Sequence, residues 1–174
     1  MIGKQVQDAM NEQIKRELES AYLYLSISAY FRSEGLDGMA QWMLVQSQEE
    51  VEHAMRFFEH ISQREGVVEL LALGKPKKEW NSALEAFEDA YKHEKFISAS
   101  IDDLAKIADD SNDNPAKIML QWFITEQVEE ESSTKSVVDL LKRIGDSGHG
   151  LVMADRELGV RGASLTSGNE GEET

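Results

Sequence analysis

Residues 66–81 read GVVELLALGKPKKEWN, and this one stretch decides how the chain is wound. Gly66, Gly74 and Pro76 interrupt any helix there. Extended at about 3.3 Å per residue, the segment reaches roughly 50 Å, the length of a long helix rather than of a tight turn. On either side lie stretches free of glycine and proline: 4–34, 39–65, 77–114 and 116–144. Their apolar residues recur at steps of three and four among good helix formers, without strand-like alternation. The pattern predicts helices over about 4–34, 38–65, 82–110 and 114–143, each roughly 40–45 Å long at 1.5 Å per residue. The connections Gly35-Leu36-Asp37-Gly38 and Asp110 to Pro115 are short, which makes each flanking pair antiparallel. The long segment allows the second and third helices to be parallel. An all-α four-helix bundle with one long crossover is therefore predicted, rather than simple up-and-down winding. Beyond Gly145, His149 to Gly159 suits a short fifth helix of two or three turns. The small, polar and acidic run Gly162 to Thr174 is expected to be a disordered tail, leaving one domain over residues 1–161.

A chain of 174 residues suits a single core. Its 41% hydrophobic and 29% charged residues argue against global disorder. A formal charge of -15 argues against nucleic-acid partners, which need a basic face, and favours cations. The absence of cysteine excludes disulfides, thiolate metal sites and cysteine nucleophiles. Met1 to Asn11 carries no apolar run of the kind a secretory leader needs, and no stretch is long enough to span a membrane. A cytoplasmic protein without membrane partners is the expectation.

The informative residues are polar ones on apolar stripes. In the third helix Ala83, Phe87, Ala90, Glu94, Ile97, Ile101, Leu104 and Ala108 share one face, and only Glu94 breaks it. His93 falls with Ala86, Asp89, Ser100 and Asp103 on a mixed, wetter face and is not expected to point inward. The second helix aligns Met39, Met43, Gln46, Glu50, His53, Phe57 and Ile61, so an oxygen and an imidazole sit three residues apart on one face. The first aligns Val6, Met10, Gln13, Glu17, Ala21, Tyr24, Ser28 and Phe31. The fourth aligns Leu120, Phe123, Gln127, Glu130, Thr134, Val137 and Leu141. All four helices thus aim a carboxylate inward. Burying Glu17, Glu50, Glu94 and Glu130 unpaired would cost several kcal/mol each or force protonation. One inward histidine and no lysine or arginine lie on these stripes, so bound cations must compensate. Oxygen-rich ligation with a single imidazole suits iron or manganese better than structural zinc or copper.

Taken as a set, Glu17, Glu50-Val51-Glu52-His53, Glu94 and Gln127-Val128-Glu129-Glu130 resemble the ferroxidase centre of the non-haem ferritins of bacteria and archaea. The likeness extends to Tyr24 in Ser20-Ala21-Tyr22-Leu23-Tyr24-Leu25, and to Gln121-Trp122-Phe123 ahead of Glu126. It covers about residues 4–160. The resemblance implies an iron-storage protein with ferroxidase activity and the ferritin-like bundle. Glu17, Glu50 and His53 would hold one iron, with Glu50 bridging to a second held by Glu94 and Glu130 beside Gln127. Glu49, Glu126 and Glu129 would form a third iron site, and Tyr24 would be a hydrogen-bond partner and electron donor. Fe(II) would be oxidised by dioxygen or hydrogen peroxide and passed to a ferric oxyhydroxide core. The shell would hold twenty-four copies of the chain, with the fifth helix at its four-fold axes, and no haem.

Related families fit less well. Bacterioferritin carries a second Glu-x-x-His where this chain has Gln127 and Glu130, and a haem-binding methionine where it has Val51. Di-iron oxidases of the rubrerythrin kind usually add a cysteine-rich domain or extra glutamates. DNA-binding mini-ferritins place their site between subunits. Trp42 and Trp122 read as packing residues, and His60 and His149 as surface or interface residues. The acidic turn Asp109, Asp110 and Asp113 is a candidate for steering cations, set against Lys117 and Leu120 where animal ferritins line a channel with acids.

Overall fold

A computed structural model describes residues 1–166, with side chains through residue 160. Helices α1 (Lys4–Ser33), α2 (Asp37–Gln63), α3 (Ala83–Asp110) and α4 (Asn114–Ile144) form the bundle, and α5 (Gly148–Thr166) follows. No strand occurs among the described residues, and no helix is long and apolar enough to cross a membrane.

The helix ends follow from local chemistry. Ser82 caps α3 by accepting from the Glu85 amide at 3.1 Å, and Asp113 caps α4 by accepting from the Ala116 amide at 3.1 Å. Three helices close in the same way at their C-termini. The Leu36, Gly66 and Asp113 amides each donate at 2.9 Å to a carbonyl five residues back, those of Phe31, Ile61 and Ala108. That closure needs a left-handed residue, supplied by Gly35 (φ 74°), Glu65 (φ 58°) and Asn112 (φ 51°). Glycine and asparagine enter this region readily, whereas Glu65 does so at a cost of roughly 1–2 kcal/mol.

The crossover is pinned along α1. Gln7 accepts from the Val67 amide (2.9 Å), Asn11 from Glu69 (3.0 Å) and Glu19 from Gly74 (2.9 Å), while Ser26 donates to the Lys77 carbonyl (2.7 Å). The segment thus climbs from the start of α1 toward its end, where Trp80 packs on Tyr30 with ring centroids 5.3 Å apart. Parallel α2 and α3 result, as its length predicts. The interior divides into two apolar halves. One centres on Phe31, Met43, Phe87 and Leu141, the other on Met10, Phe57, Ile101 and Phe123. The inward carboxylates lie between them.

Helix α5 is longer than the two or three turns expected, because Gly159 does not end it. Instead Gly159 lets α5 approach α2. A Cβ at Gly38 would lie 1.8 Å from the Asp155 carbonyl oxygen, and one at Gly159 would lie 3.0 Å from the Gly38 Cα. Asp155 uses that approach to accept from the Met39 amide at 2.8 Å, capping α2, whose own N-cap Leu36 has no side-chain acceptor. Ala154 and Leu158 complete the adjacent core. Gly38→Ala is therefore expected to unseat α5 at a cost of at least about 1–3 kcal/mol. Limited proteolysis should then cut between residues 145 and 160 faster than in the parent, and unchanged cleavage would refute the packing argument. The tail expected from Gly162 lies beyond the described side chains, and residues 167–174 lie outside the described residues altogether.

Candidate metal centre

Each bundle helix delivers its stripe-breaking residue to one polar layer. Glu17, Glu50 and Glu94 are each exposed by 1% or less, and His53, Gln127 and Glu130 are also buried. Ligand atoms of Glu17, Glu50 and His53 lie within 4.8 Å of one another, and so do those of His53, Glu126 and Glu130. His53 thus belongs to both groups. Its Nδ1 stands 3.6 Å from Glu50 Oε2, too far for a hydrogen bond.

Glu94 is held differently. Tyr24 donates its hydroxyl proton to Glu94 Oε1, and Gln127 Nε2 donates to Oε2 at 3.2 Å. Both Glu94 oxygens therefore have neutral donors, while Glu17 Oε2 and Glu50 Oε2 are buried without a hydrogen-bond donor. Glu94 joins neither compact group. Glu49 is half-buried and Glu129 exposed, both outside the two groups, although Glu49 raises the pKa of Glu130 and Glu129 that of Glu126.

The electrostatics suit a cation. Burial pushes the Glu17 carboxyl up to about 7, against the hydrogen bonds it makes. Burial, then the charges of Glu94 and Glu49, push Glu130 up to about 8. Glu50 is raised well above the ordinary range by burial and by Glu94 and Glu17. Burial lowers His53 to about 4, with help from the Arg56 charge, so the imidazole is neutral at physiological pH with a lone pair to offer. Burial and the same carboxylates also raise Tyr24 well above its usual value, keeping its phenol protonated as a donor. Without an ion, protons must neutralise this layer. Divalent cations can replace them, using the orphaned Glu17 and Glu50 oxygens first.

A supporting shell was not assigned from sequence. Gln13 Nε2 donates to Glu17 Oε1 at 2.8 Å, and Gln13 itself accepts from Ser100 at 2.9 Å. Gln46 Nε2 donates to Glu130 Oε2 at 2.7 Å. Each amide ties down one oxygen of a carboxylate and leaves the other to face the layer. The signal was present, since both glutamines lie on the inward stripes one turn before Glu17 and Glu50. His93 departs from expectation. It does not point out to a wet face, but lies half-buried with Nε2 2.8 Å from Ser20 Oγ and its ring edge-on to Tyr24 at 6.1 Å. Ala86 and Ser100, on its supposedly wetter face, are buried too. The acidic turn is partly neutralised: Lys117 pairs with Asp109 at 2.5 Å and Arg64 with Asp113 at 2.8 Å. It carries less free negative charge than its sequence suggests.

Comparison with known proteins gives a consistent result. The sequence profile of the family described as "Ferritin-like domain" matches residues 7–144. The chain is 40% identical over 161 residues to a bacterial non-heme ferritin of Bacteroides fragilis (strain 638R), covering 92% of this chain and all of that protein. A bacterial non-heme ferritin of Campylobacter jejuni is 36% identical over 158 residues, covering 91% and 95%. Among solved structures, the open pore ferritin of the archaeon Archaeoglobus fulgidus superposes with a TM-score of 0.91 at 43% identity, covering 92% of this chain and 99% of that one.

Proposed function

The chain belongs to the ferritin family, and from that premise we propose that it stores iron: it oxidises Fe(II) at the polar layer of its bundle and deposits ferric oxyhydroxide inside a hollow shell. The observation that carries this reading is the pair of buried, unpartnered oxygens on Glu17 and Glu50 beside a neutral His53. Neither oxygen has a hydrogen-bond partner among the described residues, so the metal-free protein spends stability on a place for a cation.

Iron is the substrate, and the residues divide the work. Glu17, Glu50 and His53 bind the first Fe(II), releasing the protons that burial holds on the carboxyls. Glu94 and Glu130 bind the second beside Gln127, with Glu50 between the two. Glu49, Glu126 and Glu129 offer a third place toward the rim. Two Fe(II) ions side by side give two electrons to dioxygen, which takes up two protons and leaves as hydrogen peroxide. Hydrogen peroxide can serve as oxidant in its turn. Tyr24 holds Glu94 in place and is positioned to donate an electron. The ferric product, needing more oxygen ligands than the layer provides, moves to the mineral. Relatives over nearly the full chain support assembly of copies into a shell, for which we propose twenty-four subunits in the cytoplasm, without haem.

The test is Fe(II) oxidation in air, followed by stopped-flow absorbance at two irons per subunit on protein sized beforehand. A rate well above the protein-free control, with ferric product retained in a large particle, is expected. No excess rate would overturn the reading. Fast oxidation by a monomer or dimer that retains no iron would point to a di-iron oxidase instead.

A further inference from the structure

We propose that the Arg56 guanidinium, laid on the face of Trp122, protects this indole from one-electron oxidation by oxidants formed beside His53. The oxidant rests on the function proposed above; the stack does not.

Trp122 is the tryptophan that touches the centre. Its ring lies edge-on to His53 with centroids 5.4 Å apart, and it packs against Phe123 at 4.9 Å. Trp42 and Trp80 belong to the other apolar half. Indole is among the easiest side chains to oxidise, and a half-buried one next to a redox ion is at risk. The carbon of the Arg56 guanidinium stands 3.8 Å from the Trp122 ring centroid. Its charge also reaches His53, whose pKa it helps lower, and Glu126, whose pKa it opposes raising.

A cation over the π face has two effects of the same sign. It stabilises the neutral ring through the quadrupole, and it repels the radical cation left when an electron departs. The ring becomes harder to oxidise. The reaction held back is definite. When Fe(II) meets hydrogen peroxide one electron at a time, iron becomes Fe(III), the O–O bond breaks, and hydroxide and hydroxyl radical separate. The radical then takes an electron from indole and becomes a second hydroxide, leaving an indole radical cation that afterwards loses its N–H proton to water. Arg56 thus serves the reaction without touching iron, by keeping intact the aromatic wall that seats a metal-binding histidine.

The experiment compares the parent with Arg56→Gln, which keeps a flat polar cover without charge, and Arg56→Lys, which keeps the charge. Each is exposed to azide radicals generated radiolytically in metal-free buffer, and separately to repeated additions of Fe(II) in air. Peptide mass spectrometry reads oxidation of Trp122, with Trp42 and Trp80 as references in the same chain. In both arms Arg56→Gln should lose intact Trp122 roughly tenfold faster than the parent, with Arg56→Lys close to the parent. Equal protection in Arg56→Gln, or equal vulnerability in Arg56→Lys, would overturn the proposal in the azide arm alone. Intact Trp122 in Arg56→Gln after brisk iron oxidation would overturn it too. If no variant oxidises iron, the proposed function has failed, and the azide arm still decides the stack.

Discussion

Glu50→Gln is expected to lower the initial rate of Fe(II) oxidation by about a hundredfold or more while making the metal-free protein more stable. The two effects share one cause. Glu50 is buried, carries an oxygen without a partner, and feels the charges of Glu94 and Glu17 on top of burial. It stands where both ions would be held. Substitutions one shell further out already cost 10–100-fold in metal affinity, so loss of a ligand should fall at or beyond that range. Glutamine keeps the shape without the proton that burial forces Glu50 to take up, and sparing that protonation gains about 1.4 kcal/mol for each pH unit above the ordinary carboxyl range. His53→Ala separates the effects. It should slow oxidation comparably, but it leaves a cavity against Trp122 and Phe123 and should not stabilise. Stopped-flow rates and thermal unfolding in chelator give both readouts. Parent-like rates in both variants would remove these residues from the centre.

Stability of the metal-free protein is expected to fall as pH rises from about 5 to about 8, and bound Zn(II) to reverse the trend. The folded Glu17 and Glu130 carboxyls hold their protons more tightly than the unfolded chain, whose carboxyls titrate near 4.5. Their contribution is complete below that value and is lost as pH climbs through about 7 for Glu17 and about 8 for Glu130. At about 1.4 kcal/mol per pH unit the two together are of the order of several kcal/mol per subunit. His53 works in the opposite direction over a lower window. Its folded pKa, lowered to about 4, makes protonation costly, so its contribution is lost as pH falls from 6.5. Zn(II), redox-inert, takes the place of the protons and binds more tightly as the ligands deprotonate. Unfolding midpoints across this range, with chelator and with Zn(II), make the comparison. A flat metal-free profile between pH 6 and 8 would mean that the carboxyls do not hold their protons as described.

The bundle was legible because its punctuation is sparse. Gly35, Gly66 and Pro115 fall within a few residues of helix ends, and the long breaker-rich crossover admits one connectivity. Gly159 misled because a glycine reads as a stop from sequence alone; here it serves a close approach to a helix more than a hundred residues away. The inward carboxylates were legible because an ion-binding residue breaks an apolar period. Gln13 and Gln46 break the same periods, but an amide does not announce its partner. Only the register between neighbouring helices shows that Gln46 serves Glu130 of α4 rather than Glu50 of its own helix. His93 was misplaced for a related reason: periodicity describes one helix, while burial of its ring depends on Ser20 and Tyr24 of α1.

The crossover also puts the centre on a clock. It separates two hairpins, with Glu17, Glu50 and His53 on the first and Glu94, Gln127 and Glu130 on the second. A ribosome making roughly 5–20 residues per second releases the first hairpin several seconds before α4 is finished. On the proposed reading, an Fe(II) ion caught by that early triad has no neighbour and only one electron to give. Docking of the second hairpin is then the moment at which the nascent chain changes from a one-electron hazard into a two-electron catalyst.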